Sequence, residues 1–169
     1  MNQISQQADF FKAAYYPILT DDDRLINGYF RVYQKKGEQQ RVSRFQRVNE
    51  LLDHCNRTGA TADTYFTLST TNGRTGQADD LIERTVIAFD FDGLTATDVM
   101  VRFNQLRLYF HALIDSGHGF HAYLFIEPTR DHDLVARVQK ALCNRLQADP
   151  KAANVTQILR VPGTFNLKS

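Results

Sequence analysis

Thr85-Val86-Ile87-Ala88-Phe89-Asp90-Phe91-Asp92, followed by Gly93, decides how this 169-residue chain folds. Eight residues rich in β-branched and aromatic side chains, closed by a glycine, predict a strand. Residues i and i+2 of a strand share a face, so Asp90 and Asp92 project together while Phe91 turns the other way, toward a core. Two carboxylates side by side repel each other unless a cation offsets them. The strand therefore ends in a candidate site for a hard divalent ion, Mg²⁺ or Mn²⁺, with coordination positions left for phosphate oxygens. The plainer reading is a strand end with two solvated acids.

Working outward toward the C-terminus, Thr97–Leu108 has helical spacing with Thr95 or Thr97 as N-cap. Tyr109–Asp115 reads as a strand, Ser116-Gly117-His118-Gly119 as a turn, and Phe120–Ile126 as a strand ended by Pro128. Asp131–Leu146 is a helix with acids at its start, and Thr156–Val161 is a short last strand. The order β-α-β-β-α-β is the ferredoxin-like arrangement, which sets its first and third strands side by side and antiparallel in mid-sheet.

That topology gives the remaining motifs a place. His121 opens the strand beside Asp90 and Asp92, where an imidazole can donate to phosphates. The glycines of the turn, Gly119 among them, allow backbone to approach a phosphate closely. His118 at the turn tip is equally well explained by solvent, and two histidines without nearby cysteine fall short of a zinc site. Asp149 follows the second helix and can come round to the first strand as a third carboxylate, although Asp149-Pro150 alone is a turn former. Arg160 and Lys168, in the closing segment RVPGTFNLK, are of the type that holds phosphates.

Working toward the N-terminus, Thr70–Ala78 is polar with two glycines and predicts an exposed loop, a natural module boundary. Before it come strands at Gly28–Gln34, Arg41–Phe45 and Thr64–Ser69, and helices at Ser5–Tyr16 and Val48–Asn56. The span from Arg24 to Arg57 carries eight cations (Arg24, Arg31, Lys35, Lys36, Arg41, Arg44, Arg47, Arg57) against three acids (Glu38, Glu50, Asp53). Such a stretch suits a phosphate backbone, or is simply a solvated face. Over the whole chain the net charge is +1, with 43% hydrophobic and 23% charged residues, an ordinary globular composition. No run reaches the ~18 apolar residues of a membrane span, and the N-terminus has no signal-peptide pattern, so no membrane association and a cytoplasmic location are expected. Two distant cysteines, Cys55 and Cys143, encode neither a disulfide framework nor a zinc ribbon.

Together, Asp90-Phe91-Asp92, Gly119-Phe120-His121, Ala148-Asp149 and the Arg160–Lys168 segment resemble the archaeo-eukaryotic primase superfamily, in its plasmid and phage primase–polymerase branch. The resemblance covers roughly residues 85–168. It rests on order and spacing, 29 residues from Asp92 to His121 and 28 from His121 to Asp149. Serine is common where Gly119 stands, so a hydroxyl contribution there is missing. The resemblance implies an α+β fold in one catalytic domain over 1–169: an RRM-like (ferredoxin-like) module at 81–169 packed on an N-terminal α/β module at 1–80. It implies nucleotidyl transfer with two Mg²⁺ or Mn²⁺ ions on Asp90, Asp92 and Asp149, and nucleotide contacts from Ser116, Gly119, His121, Arg160 and Lys168. The implied partners are a single-stranded DNA template and nucleoside triphosphates, with a helical accessory domain or helicase beyond Ser169 in a longer protein.

Two alternatives stand beside this. Phe89–Thr95 also resembles the nucleophile motif of haloacid-dehalogenase-like phosphatases, with Asp90 phosphorylated and Asp92 as acid/base. No later Gly-Asp-x-x-x-Asp cluster completes that site, and only 77 residues follow Asp92. The other alternative is a non-catalytic RRM-like module that stacks single-stranded nucleic acid on aromatics.

Overall fold

The computed structural model describes residues 3–167. Its elements run α1 (Gln3–Tyr15), β1 (Phe30–Lys36), β2 (Gln39–Phe45), α2 (Val48–Thr58), β3 (Asp63–Thr67), β4 (Ser69–Thr71), β5 (Leu81–Asp92), α3 (Ala96–Gln105), β6 (Ala112–Asp115), β7 (Gly119–Thr129), α4 (His132–Leu146) and β8 (Ile158–Arg160). Two four-stranded sheets result, in the orders β2-β1-β3-β8 and β4-β5-β7-β6, and every ladder in both is antiparallel. The fold is α+β.

Alternation along β5 settles the layering. Ile87, Phe89 and Phe91 enter a core with Val99 and Phe103 of α3 and Val135, Cys143 and Leu146 of α4. Val86 and Ala88 enter a second core, shared with α1, α2 and the first sheet. The expected inward turn of Phe91 is thus observed. Between the sheets lies α1, whose Phe10 meets Phe66 of β3 edge-on at 6.1 Å and Tyr123 of β7 at 4.8 Å. Asp90 and Asp92 continue the Val86–Ala88 face past the point where this inter-sheet core ends.

Local chemistry sets several boundaries. Thr95 caps α3 in a reciprocal box: its Oγ1 accepts from the Asp98 amide at 3.2 Å and the Asp98 carboxylate accepts from the Thr95 amide at 3.0 Å. Asp131 caps α4 by accepting from the Leu134 amide at 2.8 Å.

Three expectations are corrected. Thr70 and Thr71 are buried rather than looped: they belong to β4, which takes the edge beside β5, and the exposed segment starts only at Asn72. The last strand is not the fourth strand of the ferredoxin-like unit. With the β5 edge taken, β8 pairs instead with β3, and Leu159 and Val161 join the core of the first sheet. Each sheet therefore holds one strand from the other half of the chain. Pro128 also does not end β7, which runs to Thr129. The pairing with β5 is irregular between Arg84 and Val86, and at such an irregularity a residue without an amide proton is tolerated.

Candidate active site

β5 and β7 carry the site between them. Their register sets Asp90 opposite His121 and Asp92 opposite Gly119. From the other side the chain leaves α4 through Gln147, in the left-handed region at φ 53°, and the Asp149 amide donates to the Asp90 carbonyl at 2.9 Å. Asp149 also caps a short 3₁₀ turn (Pro150–Ala153) by accepting from the Lys151 amide at 2.9 Å. Asp149 thus forms the expected turn, and its backbone comes round to the strand of Asp90.

The electrostatics follow from this clustering. Burial, with the negative charges of Asp92 and then Asp149, pushes Asp90 up to about 6. Its Oδ1 is buried and accepts no hydrogen bond. His121 Nε2 lies 3.5 Å from that oxygen, too far for a strong hydrogen bond. Burial, and secondarily Arg160, hold His121 down at about 4, so at neutral pH the pair is a neutral imidazole against a carboxylate, not an ion pair. A bare Nε2 there would oppose lone pair to lone pair, which favours the proton on Nε2 and leaves Nδ1 toward the Tyr123 hydroxyl at 3.4 Å. Tyr123 is fully buried, so it packs beneath His121 and does not reach the cleft surface.

Asp90, Asp92 and His121 line a cleft of about 280 Å³ whose wall also includes Ser116, His118, Tyr65, Gln157, Arg160 and Asn166; Asp149 stands behind Asp90 and is not part of this wall. Gly119 has a steric reason. A Cβ there would run into the Phe91 carbonyl oxygen and the Asp92 Cα. The serine common at this position in the resembled family has no room here. Lys168 lies outside the described residues.

Arg160 reaches the cleft wall with most of its donors already engaged. It bonds Asp63 Oδ1 at 2.8 Å, the Phe165 carbonyl at 2.7 Å, Asn166 Oδ1 at 2.9 Å and the Tyr65 hydroxyl at 3.3 Å. Its guanidinium also covers the Tyr65 ring at 5.1 Å. Sequence reasoning missed Asp63, Tyr65, Gln157 and Asn166 as neighbours of the site. Alternation in TYFTLS put Tyr65 on the face opposite the buried Phe66, a usable signal. The Asp63–Arg160 pair, 97 residues apart, had none.

The donor set suits a hard divalent cation: an orphaned buried carboxylate oxygen, a second carboxylate two residues on, and a third whose backbone is bonded to the first. Among the described residues, no three His, Cys, Asp or Glu side chains already converge as a metal cage.

No family model matches the chain. A replication protein from Clostridium perfringens is 33% identical over 119 residues, 62% of this chain and 29% of that protein, so the chain spans less than a third of its relative's length. Primase RepB′ superposes with a TM-score of 0.64 at 15% identity, over 96% of this chain and 51% of that one. The AEP domain of the cyanophage S-2L primase–polymerase superposes at 0.66 with 13% identity, over 93% and 80% of the two chains. The chain has a primase–polymerase fold. A third match, the catalytic domain of primase RepB′ in complex with initiator DNA, gives a TM-score of 0.66 at 16% identity and covers 99% of this chain and 80% of that one. The primase–polymerase fold spans both sheets of the chain, the N-terminal one included. Among the described residues no helix is long and apolar enough to cross a membrane.

Proposed function

We propose that this chain is the catalytic core of a template-directed primase–polymerase. It joins nucleoside triphosphates on single-stranded DNA in the replication of a plasmid, phage or other mobile element. One observation carries the reading: Asp90, with an unpartnered buried oxygen, stands between Asp92, the Asp149 segment and a neutral His121 at the wall of an open cleft.

Asp90, Asp92 and Asp149 would hold two Mg²⁺ or Mn²⁺ ions, which supply charge neutralisation at the triphosphate and a lowered pKa at the attacking hydroxyl. The chain's own groups do the rest. His121, neutral and presenting Nε2–H, donates to a phosphate oxygen. Gly119 lets the turn sit tight against Phe91 and Asp92, with its backbone at the mouth of the cleft, and Ser116 presents its hydroxyl on the cleft wall. Arg160, braced by Asp63, holds Tyr65 and Asn166 at the opposite wall and adds positive charge there. The 3′-hydroxyl oxygen attacks the α-phosphorus, the bond to the bridging oxygen breaks, and pyrophosphate leaves.

The template belongs on the face of the first sheet that continues from Tyr65. Register sets Tyr33 directly opposite Tyr65, with Arg31 and Lys35 beside them on β1 and Arg44 on β2. Lys35 covers the Tyr65 ring at 5.6 Å and Arg31 the Tyr33 ring at 5.3 Å. Arg31 and Arg44 both donate to the Arg74 carbonyl, drawing the exposed loop after β4 to this surface. Aromatic rings interleaved with cations suit single-stranded nucleic acid. The neighbour solved with initiator DNA supports DNA as the partner. A helicase or helical accessory domain joins the same proposal.

Titration with a nucleoside triphosphate and Mn²⁺ tests it. Binding should require the cation, vanish in Asp90→Asn, and weaken about 10- to 100-fold in His121→Gln, the cost of one hydrogen bond to a charged group. Nucleic-acid binding indifferent to divalent ions, with no triphosphate binding, would favour the non-catalytic module. Phosphate release from a simple phosphomonoester would favour the phosphatase.

A further inference from the structure

Arg84 is a fully buried cation, placed six residues before Asp90 on β5, with no carboxylate bonded to it among the described residues. Burying an unpaired guanidinium is costly, and burial pulls Arg84 down to about 10. Its Nε donates to the Val86 carbonyl at 2.8 Å and one terminal nitrogen to Gln139 Oε1 at 3.0 Å; the other terminal nitrogen has no partner.

Gln139, also fully buried, sits on the inner face of α4. Its amide orientation is unambiguous: arginine only donates and a carbonyl only accepts, so Oε1 faces Arg84 and Nε2 faces the main chain. Nε2 donates to two carbonyls, Ala88 at 2.5 Å and Ala152 at 2.6 Å. Ala88 is two residues before Asp90 on the same face of β5. Ala152 lies in the 3₁₀ turn that Asp149 caps. A single side-chain amide thus ties the strand of the first carboxylate to the turn of the third. Arg102 of α3 holds the entry to this turn, donating to the Leu146 and Gln147 carbonyls at 3.1 and 2.7 Å. Gln139 holds the far side of the turn, bonding the Ala152 carbonyl and, through Ala88, β5.

We propose that Gln139, oriented by Arg84, is a positioning residue of the active site: it sets the distance between the Asp149 and Asp90 carboxylates. This rests on the metal-dependent reading above. It gives the buried arginine a role: the cation fixes which end of the amide faces the two carbonyls. Groups that orient metal ligands from behind typically change affinity 10- to 100-fold when removed.

Two variants separate positioning from folding. Gln139→Met keeps the volume but removes both donors and the acceptor. Gln139→Glu keeps an acceptor for Arg84, and neutralises it, while turning an oxygen against the Ala88 and Ala152 carbonyls. The second variant should therefore melt close to wild type yet lose the strut. Expected for Gln139→Glu are a faster-exchanging Asp149 amide, whose proton is bound to the Asp90 carbonyl, and Mn²⁺ affinity about tenfold weaker by calorimetry. Adding Asp149→Ala to Gln139→Glu should then cost much less than Asp149→Ala does alone, since both act through one carboxylate. Unchanged exchange and unchanged Mn²⁺ affinity in Gln139→Glu would overturn the proposal, as would full additivity of the two substitutions. If wild type shows no Asp90-dependent Mn²⁺ binding, the metal reading fails, and the Asp149 amide exchange alone decides whether the strut exists.

Discussion

Replacing Asp90 by asparagine should make the metal-free protein more stable. The folded state raises Asp90 from 3.8 to about 6, first through burial and then through Asp92 and Asp149. At ~1.4 kcal/mol per tenfold in proton affinity, keeping that carboxylate ionised costs about 3 kcal/mol. The side chain retains 22% exposure at the open cleft, so water screens part of this, and about 1–2 kcal/mol is the expected net cost. Because the folded-state value lies above the unfolded one, the folded protein takes up the proton more readily. The penalty is absent below about pH 4, grows between about pH 4 and 6, and is complete above. Asparagine removes it. In a chelator at about pH 7.5, Asp90→Asn should melt about 3–6 °C above wild type, at the ~2–4 °C per kcal/mol of a chain this size. The advantage should shrink to about a third at about pH 4.5 and vanish below about pH 4, and Mn²⁺ should raise the melting point of wild type alone. A variant no more stable than wild type at the higher pH, or one whose advantage ignores pH, would refute the repulsion argument.

Three further outcomes follow from other parts of the molecule. Gly119→Ala places a Cβ against the Phe91 carbonyl, so it should destabilise the protein by about 1–3 kcal/mol in urea titrations, and Gly119→Ser should do no better. Tyr33→Ala with Lys35→Ala removes one stacking ring and one cation from the first sheet away from the cleft wall; single-stranded DNA binding should weaken at least about tenfold with a shallower salt dependence, while triphosphate affinity stays within about threefold. The metal-free protein's affinity for Mn²⁺ should fall as the pH drops through about 6, where Asp90 takes up a proton that the cation must displace; His121, held near 4, should contribute no second step above that value.

The part of the site that follows from strand alternation was legible in the sequence. Asp90, Phe91 and Asp92 declare their faces by spacing alone, and the β-α-β-β order, whose first and third strands are neighbours, was enough to set His121 beside them. Asp149 was placed by motif order, and in the structure its amide is bonded to the Asp90 carbonyl. What the sequence hid was long-range. A three-residue strand such as Ile158–Arg160 carries no local mark of which sheet it joins; that depended on Ser69–Thr71 filling the β5 edge first. Thr70 and Thr71 are polar enough to read as loop, yet sheet pairing satisfies their backbones and buries them. Gln139 falls by helical spacing on the buried stripe of Val135, Cys143 and Leu146, but nothing in the sequence says what its amide meets there. Only the buried Arg84 opposite it reveals its role, and no spacing rule connects residues 55 positions apart.

The most direct test of the central claim is nucleotide incorporation on single-stranded DNA with Mn²⁺ or Mg²⁺, by primer extension and by dinucleotide synthesis without a primer. Wild type is compared with Asp90→Ala/Asp92→Ala. The account predicts template-dependent products from the wild type and none from the double variant, with both proteins folded. Products that persist undiminished without the two carboxylates would contradict it, as would a wild type that neither incorporates nucleotides nor binds them in the presence of the cation.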